Sequence, residues 1–389
     1  PVQAARRIAS FRESVIREMT RMAMQHQAIN LSQGFPDFDP PPTVMDAAAA
    51  AIRDGANQYS PTWGHPPLRK KLAEHYTTRL GWDVDPNIHV TVTCGVTEAI
   101  NAAFLALLNP GDQVLIIEPA HENFIPSAIF AGAEPVAVPL EAPDYRLNPE
   151  RLAGAVTDRT RLVMFNSPHN PTGRVFDSEE IAGLLDVVLK YDLILITDEI
   201  YDRILYDGLK HYSPGGLAPL RERTVTLGGL SKTFAITGWR LGYAIAPTKL
   251  AHAVRSIHDF LTACAPTPLQ VAAVTALNLP QDYYDSMLSD YHARREVMME
   301  IVSKIGFQCS EPEGSYYILA DYSHMEIPQA NWDSTRFAMW MVEKIGVAGV
   351  PGTVFYSVPG YGERSIRLAF PKKLSTLHAA GERMKTMLA

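Results

Sequence analysis

Short apolar runs recur along the chain, and most are continuous where a half-buried strand would alternate: Val114–Ile117, Arg161–Phe165, Leu193–Ile196, Val225–Leu227 and Leu241–Ile245. A strand with one wet face alternates apolar and polar residues, whereas a strand covered on both faces has no need to. These runs therefore predict a parallel sheet buried between helices. Helical stretches stand between them. Glu179–Lys190, for instance, opens on the cap pair Asp177–Ser178 and carries Glu180 where a capping box needs a carboxylate. Strand and helix alternate, so the core is α/β and its chemistry is expected at the carboxyl ends of the strands.

The flanking segments follow from their periodicity. Ile8, Phe11, Val15, Ile16, Met19 and Met22 predict an amphipathic helix within residues 5–28. Residues 29–42, dense in Pro and Gly, predict an irregular extended crossing. Helices are expected over Thr43–Ile52 and Leu68–Leu80, and an alternating strand over Ile88–Thr93. Gly95-Val96-Thr97 then turns that strand into a helix over Glu98–Leu108, leaving free backbone N–H groups at a positive helix end. A long charged helix from Tyr284 to Ile305 leaves the sheet. Beyond it, strands at Tyr316–Leu319 and Ile366–Leu368 and helices over 334–345 and 374–388 predict a smaller α+β unit, which the N-terminal segment is free to join. A chain of 389 residues exceeds one compact core and accommodates both units.

A net charge of −7 argues against nucleic acid or an anionic membrane as partner. Cys94, Cys264 and Cys309 are scattered and odd in number, with no metal-ligand spacing and no disulfide framework. The opening PVQAARRIASFRES holds no apolar signal core, and no segment approaches the roughly 20 apolar residues of a membrane span. A soluble, cytoplasmic, metal-free protein is the expectation.

Three polar clusters follow apolar runs: SPHNPTG (167–173), TDEIYDR (197–203) and TLGGLSKTFAITGWRLGY (226–243). In the last, Lys232 stands at the end of a strand, where desolvation disfavours its ammonium form and prepares a nucleophilic amine. Arg240 is close enough in sequence to fix an anion beside it. A surface Lys and Arg flanking a hairpin is the plainer reading of that segment alone. A phosphate loop is excluded by order, because Ser231 precedes the lysine.

Together the three clusters resemble the signature segments of the fold-type I, class I/II aminotransferases that depend on pyridoxal 5′-phosphate. The likeness runs from LSQGFPDFDPP to SIRLAF. The segments INLSQGFPDFDPP, QYSPTWGHPPLRKKLAEH, VLIIEPAHENF and EPEGSYYILADYS are most similar to the kynurenine/glutamine/methionine group. The resemblance implies an aspartate-aminotransferase-like fold. Its large domain, 43–285, would hold a mostly parallel seven-stranded sheet flanked by helices; its small α+β domain would combine 1–42 with 286–389.

It also implies roles. Lys232 would bond the cofactor aldehyde and then carry a proton; Asp198 would pair with the ring nitrogen; Asn170 and Tyr201 would hydrogen-bond the ring oxygen. Arg240, Ser231 and the Gly95-Val96-Thr97 amides would hold the phosphate, with Tyr59 reaching in from a second subunit of a homodimer that shares its active sites. His121 stands where the family stacks an aromatic ring, and Gly229 where many members carry a phosphate-binding serine. Arg367, with Asn170 and the Gly34 backbone, would clamp the substrate α-carboxylate. Ile16, Phe35, Phe124, Tyr316 and Phe355 are candidates for an apolar side-chain pocket. No second arginine for an acidic side chain stands out, which favours a neutral or aromatic amino acid with a 2-oxo acid as acceptor. Alternatives on the same site are β-elimination from cysteine conjugates and an aspartate or other biosynthetic transaminase. A cofactor-binding sensor without chemistry is a third, opposed by the intact Lys232, Asp198 and Arg367.

Overall fold

The computed structural model describes residues 3, 5–8, 11 and 13–388. Helix α1 (Val15–Gln25) and the short strand β1 (Ile29–Asn30) precede helices α2 (Pro42–Arg53) and α3 (Pro66–Leu80). The central run is β2 (Val90–Thr93), α4 (Gly95–Leu107), β3 (Gln113–Glu118), α5 (Phe124–Phe130), β4 (Glu134–Pro139), α6 (Pro149–Gly154) and β5 (Thr160–Asn166). It continues through α7 (Ser178–Lys190), β6 (Ile194–Asp198), β7 (Thr224–Gly229) and β8 (Gly242–Ile245). Helices α8 (Thr248–Leu261), α9 (Thr267–Leu277) and α10 (Gln281–Ile305) lead out of it. The last elements are β9 (Tyr317–Asp321), α11 (Ser334–Trp340), β10 (Val347–Ala348), β11 (Val350–Pro351), β12 (Ser365–Ala369) and α12 (Leu374–Lys385).

Seven strands form one sheet in the order β2-β8-β7-β6-β5-β3-β4, parallel throughout except for β8, which is antiparallel to both its neighbours. The continuous apolar runs have the expected cause. Val114 and Ile116 of β3 face a core shared with α4, α5 and α8, while Leu115 and Ile117 face a second core under α6 and α7. Successive side chains point to opposite faces, and here both faces are dry. At α7, Asp177 accepts from the backbone N–H of Glu179 and Glu180, and Glu180 returns a bond to the Asp177 N–H, so the capping box is complete.

A third core joins Met19, Ala23 and Leu31 from the N-terminal segment to Met298, Phe337 and Leu377 from the C-terminal part. Above it lies the antiparallel sheet β11-β12-β9, while β1 pairs in parallel with β10. Two expectations change. Among the described residues of 5–28, Val15–Gln25 is α-helical and Arg6–Ile8 forms a tighter turn. The helix expected over 334–345 gives way at Met341 to a π-helical turn through Ile345. Strand β4, absent from the sequence reading, holds Pro135 and Pro139 and sits at the sheet edge, where a missing N–H does least harm. Among the described residues no helix is long and apolar enough to cross a membrane.

Candidate active site

Strand β6 ends at Asp198, a buried carboxylate whose hydrogen bond among the described residues comes from the Ile200 N–H at 3.2 Å. Burial lifts its pKa to about 7, against the opposing pull of that N–H and of Lys232. On the neighbouring strand, β7 runs out in Gly228-Gly229, and three residues later the chain presents Lys232. Its Nζ donates to the Gly34 carbonyl at 2.9 Å and lies 5.7 Å from the Tyr201 ring centre and 5.6 Å from that of Tyr316. Burial lowers the Lys232 pKa, and the Arg367 and Arg240 guanidiniums push the same way, while Tyr317 and Asp198 resist. The neutral amine, the form that attacks a carbonyl, is thereby favoured.

The turn after β5 is welded to this strand end. Asn166 Nδ2 donates to the Asp198 carbonyl at 2.8 Å, and Asn166 Oδ1 accepts the Asn170 N–H at 2.8 Å. Asn170 Oδ1 in turn accepts from Arg367 Nη1 at 2.9 Å. Arg367 arrives from β12, on the far side of the cleft. Its Nη2 donates to the Ser32 carbonyl at 2.6 Å, and its guanidinium lies 4.4 Å from the Tyr317 ring centre and 4.9 Å from that of Phe355. The Arg367 Nε is buried with no partner among the described residues. A buried charged donor left open in this way is a place for an anionic acceptor.

Between the two cores runs the crossing of residues 31–37. The Gly34 carbonyl accepts from Lys232 Nζ and also from the Tyr316 hydroxyl at 2.8 Å. A Cβ at Gly34 would collide with the Tyr317 hydroxyl, so only glycine lets the main chain come this near. Lys372 anchors the next peptide, donating from Nζ to the Phe35 carbonyl at 2.7 Å.

At the other end of the cleft, α4 begins at Gly95 with φ of 78°. A Cβ there would run into the Arg240 guanidinium, so the glycine lets that cation lie against the helix start. Arg240 Nη1 donates to the Thr237 carbonyl at 3.1 Å. The first N–H groups of a helix have no intrahelical partner, and a cation beside them completes an anion cradle. Gly229 packs against this cradle, where a Cβ would press to 3.1 Å on Val96 and 3.2 Å on Ile200.

Val96, Thr97, Asn170, Asp198, Tyr201, Ser231, Lys232, Arg240 and Arg367 all line one cavity of about 460 Å³. His121 lines it too. Burial, with Arg367 and Lys232 nearby, pushes its pKa down to about 3, so the ring is neutral, and its Nδ1 accepts the Asn123 N–H at 3.3 Å. Tyr59 does not reach its own chain's cavity: it is 84% exposed, beside Cys94 and Cys264. Of the side-chain pocket candidates, Ile16 and Phe35 line the cavity. Phe124 instead belongs to the core beneath the sheet. Phe355 and Tyr316 act from behind, through Arg367 and Gly34.

Sequence reasoning passed over Tyr317. Its hydroxyl lies 2.9 Å from that of Tyr201, its ring faces Arg367, and it crowds Gly34. The only available signal was strand alternation across the adjacent Tyr316 and Tyr317. The donor set matches pyridoxal phosphate at three points: an amine disposed to be neutral for its aldehyde, a buried carboxylate for its ring nitrogen, and a cation over a helix start for its phosphate.

Known proteins resemble the chain along nearly its whole length. The family model described as aminotransferase class I and II matches residues 26–380. The methionine aminotransferase of Escherichia coli (strain K12) is 34% identical over 96% of this chain and 96% of its own length. Kynurenine–oxoglutarate transaminase 1 of Homo sapiens is 34% identical, over 95% of this chain and 94% of its own. Among solved structures, N-succinyldiaminopimelate aminotransferase from Mycobacterium tuberculosis superposes with a TM-score of 0.95 at 36% identity, covering 99% of this chain and 100% of that one. A Thermus thermophilus aspartate aminotransferase mutant superposes at 0.90 over 100% of both chains.

Proposed function

The chain belongs to the aminotransferases of class I and II, which depend on pyridoxal phosphate, and from that premise we propose that it moves an amino group from a neutral or aromatic L-amino acid to a 2-oxo acid. The cycle is ping-pong: the first product leaves before the second substrate enters the same cavity. When bound, pyridoxal phosphate supplies an aldehyde that bonds to amines and a cationic ring that takes up the electron pair left at the substrate Cα.

The chain's own residues do the rest. Arg240, Ser231, Thr97 and the α4 amides hold the phosphate. Asp198, whose pKa burial raises to about 7, would pair with the ring nitrogen, where a cationic N–H would favour the ionised carboxylate and the carboxylate would in turn hold the proton on the ring. Asn170 and Tyr201 orient the ring. Arg367 fixes the substrate α-carboxylate through its guanidinium edge, and the Ile16 and Phe35 walls admit an uncharged side chain. Lys232 Nζ, once free, takes the proton from Cα as general base and returns it as general acid. The neutral ring of His121 packs without adding charge.

The carrying observation is the buried Lys232 amine, bonded to the Gly34 carbonyl and sharing one cavity with Asp198 and the partnerless Arg367 Nε. A homodimer follows from Tyr59, whose exposure suits a residue completing the site of a second copy. We assign the large domain to 43–285 and the small one to 1–42 with 286–389, and place the protein in the cytoplasm.

The test is a half-reaction screen. Cofactor absorbance is followed as single amino acids are added without an acceptor, with Lys232→Ala as control. Methionine-like and aromatic amino acids are expected to bleach the aldehyde band, and the control is expected to be inert. No spectral change with any amino acid would sink the proposal.

A further inference from the structure

Three tyrosine rings, Tyr201, Tyr316 and Tyr317, pack against one another with centres 4.9 to 5.7 Å apart. Buried hydroxyls need partners. That of Tyr316 donates to the Gly34 carbonyl at 2.8 Å. The other two meet each other, with their oxygens 2.9 Å apart. Burial, reinforced by the adjacent Tyr317 hydroxyl, raises the Tyr201 pKa, so Tyr201 keeps its proton. A single bond between two hydroxyls uses one of their two protons and leaves the other to be donated elsewhere. The direction in which Tyr317 points is fixed from several sides. It opens β9 paired with Ala369 of β12, and its ring faces the Arg367 guanidinium at 4.4 Å. The missing side chain of Gly34 leaves room for its hydroxyl. The residue is buried and lines the same cavity as Tyr201. A ring held in this way delivers its hydroxyl to one place, the oxygen of Tyr201.

We propose that Tyr317 is a positioning residue: its hydroxyl donates to the Tyr201 oxygen, which turns the Tyr201 proton toward the ring oxygen of the bound cofactor. This rests on the transaminase reading above, in which Tyr201 and Asn170 meet that oxygen. A hydroxyl that accepts one hydrogen bond gives a stronger one, because the first polarises its O–H. The reverse order, with Tyr201 donating to Tyr317, would turn the Tyr201 proton away from the cofactor. Tyr317 thus acts through Tyr201 and not on the cofactor. A stronger donor at the ring oxygen favours the state in which that oxygen is negative and the nitrogen joining Lys232 to the cofactor carries no proton. Tyr317 thereby lowers the pH at which that nitrogen gives up its proton. The charged and titratable groups facing Lys232 are Asp198 from β6, Arg367 from β12, Arg240 ahead of β8 and His121 after β3, with the Tyr201 and Tyr316 rings. Tyr317→Phe leaves all of them in place, so its effect isolates one hydroxyl.

The experiment titrates the absorbance of the holoenzyme against pH, without substrate, in wild type, Tyr317→Phe, Tyr201→Phe and the double variant. Tyr317→Phe is expected to raise the midpoint by about 0.3–1 pH unit, and Tyr201→Phe by more. The double variant is expected to match Tyr201→Phe alone, since the second hydroxyl has nothing left to act through. A midpoint that stays or falls in Tyr317→Phe overturns the assignment. So does a rise that persists in full beside Tyr201→Phe, which would mean that Tyr317 acts directly. Where the band does not titrate in wild type, calorimetry of pyridoxal phosphate binding to Lys232→Ala and to Lys232→Ala/Tyr317→Phe decides. Loss of the hydroxyl is then expected to weaken binding about 2–10-fold, and an unchanged Kd overturns the assignment. If no cofactor is taken up at all, the transaminase reading fails and this one with it. If it is taken up and the deciding quantity does not move, only the role of Tyr317 fails.

Discussion

Asp198 carries the sharpest conflict between stability and use. In the cofactor-free protein burial holds its pKa at about 7, above that of an unfolded aspartate. The folded state therefore binds a proton that the unfolded state has released, so the contribution of Asp198 to stability is complete at about pH 4 and lost as pH rises through 7. Asp198→Asn removes that slope. Urea melts of the cofactor-free proteins are expected to show the variant gaining on wild type by on the order of 1–3 kcal/mol between pH 5 and 8. The same substitution takes away the charge that would hold the ring proton, and turnover of the loaded enzyme is expected to fall roughly 10²–10⁴-fold. A stability gap that stays flat across that pH range would mean that the carboxyl is not titrating in the fold. Lys232 obeys the same physics with opposite sign: burial that burdens a carboxylate makes an amine reactive.

At the scale of elements, the 31–37 crossing sets the geometry, because its carbonyls at Ser32, Gly34 and Phe35 receive Arg367, Lys232 and Lys372. Gly34→Ala would thrust a methyl group into the Tyr317 hydroxyl. It is expected to cost about 1–3 kcal/mol in stability and to depress kcat/KM. Tyr317→Phe removes the atom struck first, so the double variant should be less impaired than the sum of the singles, which denaturant melts and kinetics on all four proteins would show. Strict additivity would mean that the crossing moves aside. The elements differ in how far they could be read in advance. β3, β5 and β6 were legible because burial on two faces leaves nothing but apolar residues. β4 was not, since its prolines signal a turn wherever the edge position is unknown. The motifs named Lys232, Asp198, Asn170 and Arg367, and the fold sets these four around one cavity. Tyr317 depends on strand phase, which only the packed core fixes, so it did not stand out.

For the whole molecule, the expectation is a dimer. Tyr59 and Phe260 are 84% and 94% exposed, unusual for large aromatic side chains that serve only a monomer. Light scattering is expected to report twice the chain mass of 43.0 kDa. If Tyr59 completes the neighbouring site, a mixture of Lys232→Ala and Tyr59→Ala subunits refolded together should regain activity that neither has alone. In each such hybrid one site has its own lysine and a tyrosine from across the interface. Activity no higher than the mean of the two parents would rule out sharing.

The double acceptance at the Gly34 carbonyl has a mechanical side. One oxygen ties a stretch of main chain to an amine whose chemical state changes as the protein works, so the stretch feels each change as a bond made or dropped. Amide exchange at Gly34 and Phe35 would then serve as a gauge of whether that nitrogen is engaged, legible even in darkness and without a chromophore.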